Sequence, residues 1–220
     1  IYNHHYTGMK KELDSIKRLQ SPRSKVSSHY LIKKNGEILI LVPDLYEAWH
    51  AGLSNWKNHK YLNKKSIGIE ITNPGHQYGY KNFSRKQILS LKKLLISLIK
   101  VFKIEKKYIL GHSDVSPNRK KDPGEKFPWA KLAKNGLVWF HDLDQKKIKK
   151  FRKVKLSSKS DENIFLKNLY KIGYKKIEGL KLSKNIEYLT KAFQRRFRQD
   201  LVDGKIDQEC LKISKNLASH

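Results

Sequence analysis

Residues 66–112, SIGIEITNPGHQYGYKNFSRKQILSLKKLLISLIKVFKIEKKYILGH, contain a strand pattern, a helix pattern and a second strand pattern in that order. The segment SIGIEIT is short, apolar and rich in β-branched residues, which is typical of a buried strand. After Ser84, a residue type that often caps helices, apolar residues recur at helical spacing up to Phe102. YILGH then predicts a strand that ends at His112. This alternation predicts an α/β fold.

Two segments nearer the N-terminus extend the pattern. IYNHHYT at residues 1–7 predicts another strand. HYLIKKNGEILILV, residues 29–42, contains two apolar runs joined by Asn35-Gly36, a dipeptide that tolerates positive φ at both turn positions, and it predicts a β-hairpin. We therefore expect a mixed central β-sheet flanked by helices.

The composition changes towards the C-terminus. We predict a catalytic-type α/β domain over residues 1–144, because the strand and helix patterns end there. Residues 145–160, QKKIKKFRKVKLSSKS, are cationic and serine-rich and indicate a basic linker or surface extension. Residues 161–220 contain three short helical patterns separated by glycines. This segment is expected to form a small all-α module, near the size at which one core is only just sufficient.

The composition also limits the classes of function. The chain has 220 residues, 38% of them hydrophobic, and a formal net charge of +28. That charge predicts attraction to nucleic acid, anionic lipid or acidic wall polymers, or it simply reflects a lysine-rich solvated surface. No nucleic-acid-binding signature accompanies it, so we expect no specific nucleic-acid partner. Because Cys210 is the single cysteine, any metal ion must use His, Asp or Glu ligands.

The stretch GHSDVSPNRKKDPG, residues 111–124, places His112 and Asp122 ten positions apart among turn-forming residues. The segment can therefore double back and bring both side chains to one point. In the first strand, His4 and His5 point to opposite faces, so only one of them can join a given site. Two histidines and a carboxylate can hold a hydrolytic zinc ion or the ferrous ion of an oxygenase. A single histidine is more often structural, and this pattern alone does not decide.

Glu70 lies inside the apolar segment SIGIEIT. A buried carboxylate is costly unless a partner compensates it. The compensation can come from a structural lysine or from a catalytic centre, and the local sequence favours neither.

Five motifs in order carry a resemblance to a known family: HHYTG, VSSHYLI with its NG hairpin, AWHAGLSNW, SIGIEITN and GHSDVSPNRKKDPGEKFPW. Together they resemble the zinc N-acetylmuramoyl-L-alanine amidases of the AmpD/AmiD type, which are related in fold to phage T7 lysozyme and the peptidoglycan recognition proteins. The resemblance covers about residues 1–135. The later segments IGY, AFQRRF and VDG are similar to the small peptidoglycan-binding module that accompanies many of these enzymes.

The resemblance implies a role for five residues. His5, His112 and Asp122 match the zinc ligands, Glu70 the catalytic glutamate, and Lys120 the lysine that stabilises the transition state. The implied reaction is zinc-dependent hydrolysis of the amide between N-acetylmuramic acid and L-alanine.

Side chains around these motifs are candidates for substrate contact: Tyr6, Thr7, Trp49, His50, Ser54 and Arg119. Trp49 and Trp56 can equally be core residues. We expect His29 to be a hydrogen-bonded structural histidine and Trp129 to be a packing residue.

The implied partners are peptidoglycan or muropeptides. A chain with the appended helical module resembles the envelope-facing AmiD type, so a bacterial periplasmic or cell-envelope location is expected. Peripheral or lipid-anchored membrane association would come from a segment not in this chain. The alternative function is a non-catalytic peptidoglycan-recognition protein, which would bind the wall without releasing stem peptides.

Overall fold

A computed structural model describes residues 1–219 of the chain, and His220, the last residue of the predicted helical module, lies outside the described residues. The strands are β1 (Tyr2–Tyr6), β2 (Tyr30–Ile32), β3 (Ile38–Ile40), β4 (Asn55–Trp56), β5 (His59–Lys60), β6 (Ile67–Ile71) and β7 (Ile109–Gly111). Within residues 1–219, five of them form one sheet in the order β3-β2-β6-β1-β7. β2, β6, β1 and β7 are parallel, and β3 is antiparallel to β2.

The α-helices are α1 (Glu12–Gln20), α2 (Arg85–Phe102), α3 (His112–Val115), α4 (Trp129–Lys134), α5 (Gln145–Lys149), α6 (Lys159–Ile172), α7 (Leu182–Phe197) and α8 (Gln208–Ala218). α2 begins as predicted, because the Ser84 hydroxyl accepts from the Gln87 amide while the Gln87 side chain accepts from the Ser84 amide. Its apolar stripe packs with Ile69 and Ile71 of the sheet. The predicted mixed sheet flanked by helices is confirmed.

The hairpin between β2 and β3 differs in detail from its prediction. Its strands pair Ile32 with Ile38, but only Gly36 of the Asn35-Gly36 pair has positive φ, at 89°. The Gly36 amide donates to the Lys33 carbonyl, which closes a turn one residue longer than a two-residue loop. A three-residue loop needs glycine at one left-handed position only, so Asn35 keeps ordinary backbone angles.

The strand predicted at YILGH is also shorter, by one residue at each end. β7 ends at Gly111, and His112 is the first residue of the short helix α3. The backbone therefore turns sharply at the junction between these two residues, directly beside the candidate ligand.

The C-terminal helices share a hydrophobic core with the sheet part of the chain. Trp56 and Leu110 belong to the same buried cluster as Phe165 and Phe193 of α6 and α7. Within the predicted linker, α5 buries Ile148 in that cluster. The division into domains stays a prediction, but the described C-terminal helices pack against the sheet part of the chain. No helix in residues 1–219 combines the length and apolar character needed to cross a membrane.

Candidate active site

The sheet register brings three candidate residues to one edge. β1 and β6 are parallel with His5 opposite Glu70, and β1 and β7 are parallel with His4 opposite Gly111. His112 follows Gly111 and therefore lies beside His5. The carboxyl ends of parallel strands meet at the same edge of a sheet, where ligand sites of α/β folds usually lie. His4 points to the other face and stacks on Phe127, as the alternation predicts.

Asp122 reaches this edge because the loop after α3 doubles back, and the Ser113 amide donates to the Asp122 carbonyl. One carboxylate oxygen of Asp122, Oδ2, lies 3.1 Å from His5 Nδ1 and 2.9 Å from His112 Nδ1. The two Nδ1 atoms are 2.8 Å apart. Three donor atoms on distant parts of the sequence thus converge on one point, and all three residues are buried.

The hydrogen bonds of the Nε2 atoms of His5 and His112 show which nitrogen of each neutral ring carries the hydrogen. His50 Nε2 lies 3.2 Å from the Ser66 carbonyl oxygen and must donate to it, because a carbonyl only accepts. His50 Nδ1 therefore accepts from His5 Nε2, 3.2 Å away. The N–H of His5 is used in this bond, so its Nδ1 carries a lone pair toward Asp122.

His112 has the same arrangement. Its Nε2 lies 3.1 Å from the Ala51 carbonyl oxygen and donates to it, which leaves Nδ1 as a lone pair. In the neutral rings, two imidazole lone pairs and a carboxylate oxygen face one another, a donor set that can bind a cation. Donor atoms held about 2.0–2.1 Å from a tetrahedral zinc ion lie about 3.3 Å apart, close to the observed spacing. The residues fit a zinc ion.

Electrostatics affect the protonation of His5 and Asp122. Burial, and then the neighbouring His112 side chain, lower the pKa of His5 to about 4. Burial favours the neutral acid of Asp122, but the two imidazoles outweigh it and hold the pKa of that carboxyl well below its usual range. Near neutral pH this leaves a neutral His5 beside an ionised Asp122. These are the protonation states in which imidazole and carboxylate bind metals.

Glu70 lies at the same edge of the sheet with a different environment. Burial, and then the charge of Asp122, raise its pKa to about 8. Its Oε2 atom is buried and has no hydrogen-bond partner among the described residues. No lysine forms an ion pair with it in the part of the chain described, and its catalytic role stays a prediction. A carboxyl group that titrates near neutral pH suits general acid-base catalysis.

An open cleft of about 520 Å³ exposes the site to solvent. Glu70, Lys120 and the three residues of the convergent group line it. The positive charge of Lys120 lowers the pKa of both Glu70 and His5, which indicates that the ammonium lies near them. The predicted catalytic and metal-binding residues therefore share one cavity.

The predicted substrate contacts are more scattered. Tyr6, Thr7 and Arg119 line the cleft, and the Arg119 guanidinium also donates to the Ala51 carbonyl 3.2 Å away. Trp49 is 50% exposed and lines the adjoining cavity, so it is not a core residue. Ser54 is buried and lines a separate cavity. Substrate contact by these residues stays a prediction.

The two other tryptophans named in the sequence analysis occupy core positions. Trp56 and Trp129 are each 1% exposed. His29 is the hydrogen-bonded structural histidine that was predicted: its Nδ1 accepts from the Gly68 amide, and its Nε2 donates to the Tyr46 carbonyl.

Sequence reasoning missed two features of the site. His50 is 6% exposed beneath His5, and a Cβ at Gly68 would lie 2.4 Å from the His50 ring, so the glycine makes room for the imidazole. At the rim, His76 connects the Tyr6 hydroxyl to the Glu125 carboxylate, at 2.8 and 3.0 Å. The motif AWHAG made His50 a candidate for substrate contact, and His50 lines the cleft, but the motif gave no sign that its ring would form a hydrogen bond with His5.

The sequence of the chain is similar to those of known amidases. The chain is 33% identical to the N-acetylmuramoyl-L-alanine amidase AmiD of Escherichia coli over 204 residues, which span 87% of this chain and 73% of that protein. It is 42% identical to the 1,6-anhydro-N-acetylmuramyl-L-alanine amidase AmpD of Haemophilus influenzae over 106 residues, 48% of this chain and 55% of that protein.

Solved structures match over the full chain, including the C-terminal helices. E. coli AmiD in complex with the substrate anhydro-N-acetylmuramic acid-L-Ala-D-γ-Glu-L-Lys superposes with a TM-score of 0.85 and 31% identity, covering 100% of this chain and 88% of AmiD. AmpDh3 from Pseudomonas aeruginosa superposes with a TM-score of 0.85 and 29% identity, covering 100% of this chain and 91% of AmpDh3. Residues 2–125 match the family described as N-acetylmuramoyl-L-alanine amidase. Together with the convergent histidines and carboxylates, these matches show that the chain belongs to the N-acetylmuramoyl-L-alanine amidase family.

Proposed function

We propose that this amidase uses a zinc ion held by His5, His112 and Asp122 to hydrolyse the amide between N-acetylmuramic acid and L-alanine. The observation that carries the proposal is the convergence of two imidazole nitrogens and one carboxylate oxygen, each within 3.1 Å of the other two. Both outer N–H groups already have acceptors, so each neutral ring turns its free lone pair towards this point. When bound there, zinc would supply Lewis acidity toward the scissile carbonyl and lower the pKa of a water molecule.

Glu70 would move the proton. Its unpartnered Oε2 and its pKa of about 8 suit a group that takes a proton from the attacking water and returns it to the leaving amine of L-alanine. Lys120 would place its ammonium against the oxygen that becomes negatively charged during attack. A preorganised donor of this kind contributes roughly 3 kcal/mol to transition-state stabilisation.

Muropeptides are the proposed substrates because AmiD, which this chain resembles over its full length, was solved with an anhydro-muramyl tripeptide. Intact peptidoglycan is a second substrate candidate, since the C-terminal helices resemble a wall-binding module. We propose a periplasmic or envelope location on the same similarity. The +28 charge is consistent with retention near acidic envelope polymers.

A defined anhydro-muramyl tripeptide tests the proposal directly. The zinc-loaded protein is expected to release L-Ala-D-γ-Glu-L-Lys, detected by mass spectrometry, and to stop when the metal is chelated and resume when zinc is returned. Metal analysis of the purified protein separates zinc from the iron of an oxygenase. A protein that binds peptidoglycan but releases no peptide with zinc present would be the recognition protein of the alternative hypothesis.

A further inference from the structure

A second buried polar group surrounds Asp114, two residues after the candidate ligand His112. One carboxylate oxygen of Asp114, Oδ2, accepts from the Gly111 amide and from Arg196 Nη1, each at 2.8 Å. The other, Oδ1, accepts from the Tyr174 hydroxyl at 2.7 Å. None of these three side chains is more than 1% exposed. We refer to Asp114, Tyr174 and Arg196 as the support cluster.

Both donors of the support cluster come from the C-terminal helical region. Arg196 belongs to α7, and Tyr174 directly follows the end of α6. Arg196 is held by stacking over Trp129, 4.5 Å from the ring centroid, and by a 3.3 Å bond to the Trp139 carbonyl. Tyr174 packs edge-on against Trp56. Contacts other than those with Asp114 therefore also hold the two donors in position.

The support cluster acts on the backbone at the point where His112 is placed. Gly111 ends β7, and the Asp114 carboxylate bonds back to its amide across the first turn of α3. That bond fixes the direction in which the chain leaves the sheet, and the direction sets where the His112 ring points. A one-turn helix has too few internal hydrogen bonds to hold this geometry itself.

We propose that Arg196 and Tyr174 are positioning residues for His112, which they hold in place through Asp114. The C-terminal helices then complete the active site instead of serving only to bind the wall. The inference rests on the proposed function, because it takes His112 to be a metal ligand.

Arg198 provides a matched control. It is also buried, at 2% exposure, and lies two residues after Arg196. Its ion pairs, with Asp203 at 3.4 Å and Asp207 at 3.2 Å, stay within the C-terminal helical region. A lysine at position 198 therefore perturbs the packing of the same helices without touching Asp114.

The test compares full-length R196K, Y174F and R198K with the unchanged protein. Partners outside the first coordination shell typically change metal affinity by about 10- to 100-fold, so we expect R196K and Y174F to lose about tenfold in zinc affinity by chelator competition. Their kcat should fall while KM stays nearly constant, and the visible spectrum of the cobalt-substituted protein should change. R198K should keep the affinity and the spectrum of the unchanged protein.

Hydrogen exchange of the metal-free proteins separates this inference from the proposed function. The amides of residues 111–115 should exchange faster in R196K and Y174F than in R198K, whether or not zinc binds. If the unchanged protein bound no zinc, the proposed function would fail, and the exchange contrast would still decide the role of the support cluster. Equal exchange in all variants, or an equal loss of affinity in R198K, would overturn the inference. Y174F removes a single hydroxyl and keeps the test valid if R196K does not fold.

Discussion

Two buried polar clusters lie within a few residues of each other and differ in how their charges are balanced. In the support cluster each oxygen of Asp114 meets an N–H or O–H donor. In the ligand cluster of His5, His112 and Asp122, the acceptor nitrogens of the neutral rings face an acceptor carboxylate, because the Ala51 carbonyl and His50 already use the outer N–H groups. A cluster in which each acceptor meets a donor holds structure, whereas a cluster of facing acceptors is consistent with the zinc site that we propose.

The same substitution in both clusters gives the largest expected effects. Asp114→Asn leaves the buried Arg196 uncompensated and should lower the free energy of unfolding by about 3–5 kcal/mol. Asp122→Asn should abolish hydrolysis and zinc binding, yet lower the unfolding free energy of the metal-free protein less than Asp114→Asn does, because it leaves no buried arginine without a counter-charge. Urea denaturation and zinc titration measure both. Equal destabilisation by the two substitutions would contradict the distinction.

Glu70→Gln separates catalysis from metal binding at the same edge of the sheet. The amide has nearly the same size but cannot transfer the proton, so kcat should fall by about 10²- to 10⁴-fold. Zinc affinity should stay close to that of the unchanged protein, because Glu70 lies outside the ligand cluster. A loss of zinc together with activity would make Glu70 a ligand and not a catalytic group.

Lys120→Met tests whether the cleft contains a charge that matters only during reaction. Loss of one oxyanion donor typically costs about 10²- to 10³-fold in kcat, and we expect a decrease in that range. Lys93→Met is the control, because Lys93 is exposed on α2 and does not line the cleft. Equal effects of the two substitutions would reduce Lys120 to a contributor to general surface charge.

His50→Leu tests how the acceptor arrangement of the ligand cluster is maintained. Without an acceptor for its Nε2 hydrogen, His5 loses its fixed tautomer, and zinc affinity should fall by about 10- to 100-fold. His50→Asn can offer an oxygen near the former Nδ1 position and should recover part of the loss. Zinc competition with a chelator measures both. If the leucine variant bound zinc normally, the tautomer of His5 would not depend on His50.

The pH dependence of stability tests the protonation of Glu70 in the metal-free protein. Glu70 has a pKa of about 8 in the folded metal-free protein against an ordinary value of 4.5. Between these values the unfolded chain releases a proton that the folded chain keeps, so the stability contributed by this group falls as pH rises. Glu70→Gln removes this loss. The stability advantage of the variant should grow by up to about 1.4 kcal/mol per pH unit from about pH 4.5 to 8 and then stay constant.

Urea denaturation of both metal-free proteins at pH 5, 6.5 and 8 measures that difference. The histidines with lowered pKa values, among them His4 and His5, add stability as pH rises towards 6.5, but they are present in both proteins and their contributions cancel. A difference that does not change with pH would mean that Glu70 is already ionised at pH 5.

The sequence predicted the local part of this architecture. The strand patterns, the Ser84 cap and the turn-rich loop to Asp122 are local signals, and the structure contains each of them. The residues of the ligand cluster followed from the resemblance and from side-chain alternation in β1. These features depend on residues close together in the chain or on motifs with fixed spacing.

The support cluster could not be predicted, because its members are joined only by the packing of helices against the sheet. Asp114 and Arg196 lie 82 positions apart, and each alone resembles an ordinary charged residue on a helix. The AFQRRF pattern predicted a helix but not that both of its arginines would be buried. Burial of a charged side chain can be predicted only when its partner is known.

Gly68 has a consequence for relatives of this chain. The imidazole of His50 occupies the volume in which any larger side chain at position 68 would lie, 2.4 Å from a Cβ placed there. An alanine at 68 would displace the ring and release the hydrogen of His5. Glycine at 68 and histidine at 50 should therefore be inherited as a pair, so that natural sequences lacking one also lack the other.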